Sequence, residues 1–274
     1  IMVGTGLGAK NGILIKGGQA LETASHISSV ILDKTGTITV GKPVVTDLQL
    51  SDPHLLGVIA SLENQSEHPL AQAIIAYAEE QETALQEVGN FAAVPGFGIT
   101  GQVAGVNYRL GTRNFVKDAA EISAYDGAIS RWAEEGKTLM LLADEHSVLG
   151  AIAVADQIKE TSKAAIAQLQ QSGVAVYMLT GDNAKAAQYI GKQVGIPTDH
   201  IFAEVLPEDK SEKVALLKAK GEVVGMVGDG INDAPALALA DIGIAMGNGT
   251  DIAMETADVT LIHSDLTYVG KMIE

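Results

Sequence analysis

At 274 residues the chain is long enough for one large or two medium domains, each burying its own core. It is 47% hydrophobic but only 4% aromatic, which favours sheets under small-residue helices over an aromatic β-sandwich. Its net charge of −16 argues against non-specific binding to nucleic acid or an anionic membrane, and the lack of cysteine removes disulfides and thiolate metal sites.

The chain opens on Ile1-Met2-Val3-Gly4 and reads as a piece of something longer. No run of 18 apolar residues is present to span a bilayer. After the glycines at 4, 6 and 8, a short helix around Ala20–Ala24 is expected to feed the first strand. That strand, Val30-Ile31-Leu32, is apolar and β-branched, the character of a buried parallel strand. Asp33 stands at its carboxyl end and Gly36 lets the backbone turn sharply. Gly41-Lys42-Pro43 then reads as a linker.

The texture changes over residues 44–150. Helices are expected at 55–62 and 69–80, the second with proline at its first position. Glycine-punctuated antiparallel strands follow over 91–111, then a mostly helical stretch at 114–136 and paired strands at 138–143 and 148–155. From Asp156 onward strands (174–179, 201–202, 223–227, 242–245, 259–262) alternate with helices (184–194, 210–220, 234–240). This pattern predicts an α/β fold: a doubly wound parallel sheet from residues 1–41 and 154–274, interrupted by an α+β domain with an antiparallel sheet at 42–153.

In a parallel sheet the carboxyl ends of the strands share one edge, where ligands collect. Three polar loops fall there: Asp33; Thr180-Gly181-Asp182; and Gly228-Asp229-Gly230, which leads into Ile231-Asn232-Asp233. Lys210 starts a helix after another strand and reaches the same edge. Each has a plain structural alternative: Asp182 and Asn183 as helix caps, Lys210 as a solvated face, Asp233-Ala234-Pro235 as a turn. Together they form an inventory for phosphoryl transfer, which relies on positioning and charge neutralisation.

The string Asp33-Lys34-Thr35-Gly36-Thr37-Ile38-Thr39, followed in order by Thr180-Gly181-Asp182 and Gly228-Asp229-Gly230-Ile231-Asn232-Asp233-Ala234-Pro235, resembles the phosphorylation domain of P-type ATPases, within the haloacid-dehalogenase superfamily. The resemblance implies that Asp33 attacks the γ-phosphate of ATP as nucleophile. Mg²⁺ is then expected on Asp33, the Thr35 carbonyl and Asp229. Thr180, with Gly181 beside it, and Lys210 would neutralise phosphate oxygens, while Lys34, Asp182, Asn232 and Asp233 complete the site. Hydrolases of the superfamily carry a second aspartate where this chain has Thr35, which cannot act as a general acid or base. An aspartyl-phosphate should therefore persist, which argues against the alternative of a haloacid-dehalogenase-type phosphatase.

Within the insert, Gly96-Phe97-Gly98-Ile99-Thr100-Gly101 fits a dinucleotide fingerprint in spelling but not in context, because a strand follows it. A tight β-turn explains those glycines equally well. Ser66-Glu67-His68-Pro69-Leu70, with Glu63 upstream and Gly96 and Gly98 downstream, resembles the nucleotide-binding domain of heavy-metal P-type ATPases. That match implies that Glu63 and His68 orient adenine and that Gly96 and Gly98 admit the nucleotide closely. Thr112 replaces the family asparagine, with Asn114 displaced, and would supply one hydrogen bond instead. The copper class is implied by residues 1–22 and by His68-Pro69, although zinc and cadmium pumps share the latter. The expected whole is the ATP-binding, autophosphorylating part of a copper(I)-exporting pump on the cytoplasmic face of a membrane, itself soluble. Its partners would be its own transmembrane and actuator domains and the Cu⁺ cargo, with no nucleic acid. The linkers near 41–43 and 156–157 would be its hinges.

Overall fold

The computed structural model describes residues 12–117 and 123–273. The glycines at 4, 6 and 8 and half of the 1–22 connector lie outside those residues. The described chain forms two compact units. One comprises the residues up to Lys42 together with those from Gln157 on, and the other is Pro43–Asp156.

In chain order the first unit begins with β1 (Ile13–Ile15), α1 (Gly18–Ala24) and β2 (Ser29–Asp33). Strand β3 (Thr39–Leu50) leads to α2 (Leu55–Glu63), α3 (Pro69–Glu80), β4 (Val88–Val94), β5 (Gly98–Val103) and β6 (Val106–Gly111). Then come α4 (Arg113–Val116), α5 (Asp126–Glu134), β7 (Thr138–Ala143) and β8 (Val148–Ile158). The remainder is α6 (Ser162–Gln171), β9 (Ala175–Leu179), α7 (Ala184–Val194), β10 (Ile201–Phe202) and α8 (Lys210–Ala219). It ends with β11 (Val224–Gly228), α9 (Ala234–Leu239), β12 (Ile242–Met246), α10 (Asp251–Thr256), β13 (Val259–Leu261) and α11 (Thr267–Ile273).

The first unit is a seven-stranded sheet in the order β1-β13-β12-β11-β2-β9-β10. All its pairs are parallel except β1 with β13. Every residue of β2, β11 and β12 is buried, as expected of strands covered on both faces. Alternate side chains serve alternate cores. Val30 and Leu32 pack with residues of α1, α6, α7 and α11, whereas Ile31 packs with α8, α9 and α10. The doubly wound reading is correct.

The second unit is a six-stranded sheet in the order β3-β8-β7-β6-β5-β4, antiparallel from β4 through β8. Ile59, Leu62 and Ile74 of α2 and α3 pack against Ile99, Leu110 and Ile152. A separate cluster sets Ile129 and Trp132 of α5 against Leu141, Ala151 and Ala153. Among the described residues no helix is long and apolar enough to cross a membrane.

The structure departs from the sequence reading in the linkers and in one long helix. Gly41-Lys42-Pro43 is not a loop but lies within β3, where Gly41 adopts φ +85°. Proline is tolerated there because β3 is the edge of its sheet and the missing N–H interrupts no ladder on the open side. Residues 156–157 likewise fall inside β8 rather than in a linker. The expected helix over 114–136 divides into α4, a short 3₁₀ turn at Ser123–Tyr125 and α5.

Candidate active site

Strands β11, β2 and β9 are neighbours, so the loops leaving their carboxyl ends converge. Leu32 pairs with Val227 and Asp33 with Leu179, which places Asp33 at the level where both flanking strands end. Immediately after it, Thr35 (φ −71°, ψ 127°) and Gly36 (φ 74°, ψ −9°) make a type II turn, whose second central position suits glycine. A Cβ on Gly36 would stand 1.7 Å from Asp229 Oδ2, so the turn lies directly against that carboxylate. The Thr39 hydroxyl closes the turn from inside, accepting from Gly36 N (3.2 Å) and donating to Lys34 O (3.0 Å).

Asp33 is 6% exposed. The Lys210 ammonium donates to Asp33 Oδ1 (2.9 Å) and Asp233 Oδ1 (2.7 Å). Asp233 Oδ2 accepts from the N–H groups of Asp229 (3.1 Å) and Gly230 (3.0 Å), which fixes the turn behind β11. Burial, and then the charge of Asp233, outweigh Lys210 and push the Asp33 carboxyl up to about 7. Asp229 rises for the same two reasons. Burial alone would lower Lys210, but Asp33 and Asp233 hold it above its usual value.

Candidate ligand oxygens of Asp33, Asp229 and Asp233 lie within 4.8 Å of one another. Three carboxylates around the Lys210 ammonium in a desolvated pocket, with the Lys159 charge reaching Asp229, are short of positive charge, and hard oxygen donors suit Mg²⁺. The residues present therefore fit a divalent cation. Both Asp233 oxygens already have partners, which leaves Asp33 and Asp229 as the candidate side-chain ligands.

Lys34 pairs with Asp182 at 2.6 Å, joining the loop after β2 to the loop after β9. Asp182 N donates to Thr180 Oγ1 (3.0 Å), so that hydroxyl keeps its own proton for an acceptor in the site. Asn183, not Asp182, caps α7, through its side chain on Ala186 N (3.0 Å). Lys210 is no solvated face, being 13% exposed and doubly paired. Gly181 and Asn232 are exposed, Asn232 within the 3₁₀ turn Ile231–Asp233. The Thr37 hydroxyl is buried without a hydrogen-bond partner. Sequence reasoning missed Thr39, and also Lys159, whose ammonium donates to Gly36 O (3.1 Å). The only sequence signal for Thr39 is its place at the end of the Asp33 string.

In the second unit a groove of about 380 Å³ is lined by Glu63, His68, Gly96, Gly98 and Thr112 together. Phe97, inside the glycine motif, supplies apolar wall together with Leu139 and Met140, which no motif announced. Glu63 is 3% exposed, its Oε2 has no partner, and burial pushes its carboxyl up to about 7 against a hydrogen bond from Ser66. His68 caps α3 with Nδ1 accepting from Leu70 N (3.2 Å), which leaves Nε2 to carry the proton. The two glycines differ in purpose. Gly96 (φ +80°) has open space where a Cβ would stand, whereas a Cβ on Gly98 would meet Leu110 O at 2.3 Å. Gly98 is thus required by strand β6, and Gly96 by the turn beside the groove.

A family model described as haloacid dehalogenase-like hydrolase matches residues 27–241, and a second with that description matches residues 211–273. The chain is 60% identical over 277 residues to a protein of Enterococcus hirae named a probable copper-importing P-type ATPase A, covering 100% of this chain and 38% of the relative. It is 48% identical over 275 residues to a copper-exporting P-type ATPase of Staphylococcus saprophyticus, covering 100% of this chain and 34% of the relative. Among solved structures, a zinc-transporting PIB-type ATPase in the E2.Pi state superposes with TM-score 0.91 at 40% identity, over 100% of this chain and 45% of that one. The chain thus spans less than half the length of each of these three proteins.

Proposed function

Because the chain belongs to the haloacid dehalogenase-like hydrolase family, and within it resembles heavy-metal P-type ATPases along its whole length, we propose that it is the autophosphorylating catalytic part of a copper-translocating ATPase. The observation that carries this reading is the buried Asp33 carboxylate, hydrogen-bonded by Lys210 and faced by Asp229, at the edge of a doubly wound sheet.

Asp33 Oδ attacks the γ-phosphorus of ATP, the bond from that phosphorus to the bridging oxygen breaks, and ADP leaves, giving an acyl phosphate on Asp33. Lys210 neutralises the transferring oxygens and the Thr180 hydroxyl donates to them, a reading supported by the Lys210–Asp33 bond and by the proton Thr180 Oγ1 retains. Asp33, Asp229 and the Thr35 carbonyl would hold Mg²⁺, which would supply charge neutralisation. In the second unit the Glu63 carboxyl and the Nε2 proton of His68 address the base, Gly96 leaves room for the nucleotide, and Thr112 offers a hydroxyl at the groove margin. Copper as cargo, membrane helices and an actuator as partners, and a place at the cytoplasmic membrane face belong to the same proposal and rest on the named relatives.

The test is an acid-quenched incubation of the chain with γ-labelled ATP and Mg²⁺. Wild type should retain label that hydroxylamine releases, and Asp33→Asn should retain none. Equal label on both would sink the assignment.

A further inference from the structure

The phosphoryl-transfer scheme makes no use of Lys159, yet this side chain ends between two carbonyl oxygens from opposite parts of the first unit. Its ammonium donates to Gly36 O at 3.1 Å and to Ser264 O at 2.8 Å. Its main-chain N–H donates to Ile38 O at 3.0 Å, and the neighbouring Ser162 hydroxyl donates to the same oxygen at 2.8 Å. Two carbonyls of the loop that leaves Asp33 are therefore held by one residue.

The Ser264 end leads to Asp229. Ser264 Oγ accepts from Asn248 N (2.9 Å), and two residues on, Thr250 N donates to Asp229 O (2.7 Å). The segment that backs Asp229 is thus tied to Ser264, and Ser264 to Lys159. The Gly36 end leads to Asp229 as well, because Gly36 packs on its carboxylate. The Lys159 charge reaches that carboxyl too, pulling down a group that burial and Asp233 raise.

We propose that Lys159 is a positioning residue for the Asp33–Asp229 pair: its ammonium cross-links the Asp33 loop to the segment behind Asp229 and so sets the gap that receives a divalent cation. This rests on the phosphoryl-transfer reading for its purpose, though not for its geometry.

Coulomb attraction and positioning predict opposite signs. Removing a cation whose charge reaches Asp229 would by itself tighten binding of a divalent ion. Loss of the cross-link would weaken it, because ligands lose their orientation when an outer-shell partner goes. The experiment titrates Mn²⁺, followed by electron paramagnetic resonance, into wild type, Lys159→Met and Lys159→Arg, each shown by a melting curve to be folded. The Met variant should bind about tenfold more weakly. The Arg variant, whose several N–H groups span both carbonyls, should stay within about threefold of wild type. If Lys159→Met does not fold, Lys159→Gln keeps a donor for one carbonyl and should bind about threefold more weakly. Binding as tight as wild type or tighter in the Met or Gln variant would overturn the proposal. So would wild-type binding that survives Asp229→Asn unchanged. Label from γ-labelled ATP is read on the same samples: Mn²⁺ binding as expected without any label would sink the phosphorylation reading alone and leave this one standing.

Discussion

Glu63 shows how a single residue ties burial to pH. Its carboxyl sits in the groove of the second unit with one oxygen unpartnered, and burial raises it to about 7 from an ordinary 4.5. A carboxyl raised in the folded state favours folding while it stays protonated; that contribution is complete below about pH 4.5 and is lost as pH rises through 7. Wild type should accordingly lose stability between pH 5 and pH 8. Glu63→Gln, which cannot ionise, should remove ~1–3 kcal/mol of that loss. Urea denaturation of both proteins at the two pH values measures it, and identical slopes would show that Glu63 does not titrate in this window. Asp33 contributes a slope of the same sign, which the difference between the two proteins cancels. That Asp33, Lys210 and Asp229 come together was legible in the sequence, because Asp33 and Asp229 follow strands of one parallel sheet and Lys210 starts a helix after another. Their charge balance was not. That Asp233 spends both oxygens on Lys210 and two backbone amides depends on contacts across residues 210–233, which no spacing encodes.

At the scale of elements, strands and helices with a strong period were readable, and those made by tertiary context were not. Helix α3 starts at Pro69 and α7 ends before Gly195 in αL, boundaries set by local chemistry. By contrast β1 is three residues long and exists through its pairing with β13, far away in sequence. Helix α6 buries only Ser162, Ala165, Ile166 and Leu169, too thin an apolar stripe to stand out. The turn after β2 is the element on which function hangs most directly. Gly36 combines φ +74° with a missing Cβ that would stand 1.7 Å from Asp229 Oδ2, so Gly36→Ala meets both backbone strain and a clash. The expected cost is about 2 kcal/mol or more of stability. Labelling of Asp33 should fall by at least about a hundredfold, since displacement of reacting groups by an ångström is that costly. ATP affinity of the groove should be unchanged, as titration calorimetry would show. A variant that labels normally would mean that the turn does not position Asp33.

For the molecule as a whole, the question is whether nucleotide binding and phosphate acceptance are physically separable. The residues lining the groove fall between Glu63 and Met140, inside the unit Pro43–Asp156. The apolar clusters under its sheet are built mostly from its own helices and strands. The chain enters on β3 and leaves on β8, which are adjacent strands of one sheet, so excision leaves two neighbouring ends rather than a hole. At 114 residues, counted from Pro43 to Asp156, it is large enough to bury a stable core. Expressed alone, residues 43–156 should unfold in one cooperative transition and bind ATP within about threefold of the full chain, because every residue that lines the groove belongs to this unit. They should take up no label, since Asp33, Lys210 and Asp229 all lie outside. His68→Ala in this fragment should weaken ATP by about tenfold, the magnitude of one well-placed hydrogen bond. A fragment that folds cooperatively but has lost ATP affinity would show that the groove is completed from elsewhere in the chain. One that binds and carries label would overturn the assignment of the acceptor to the parallel sheet.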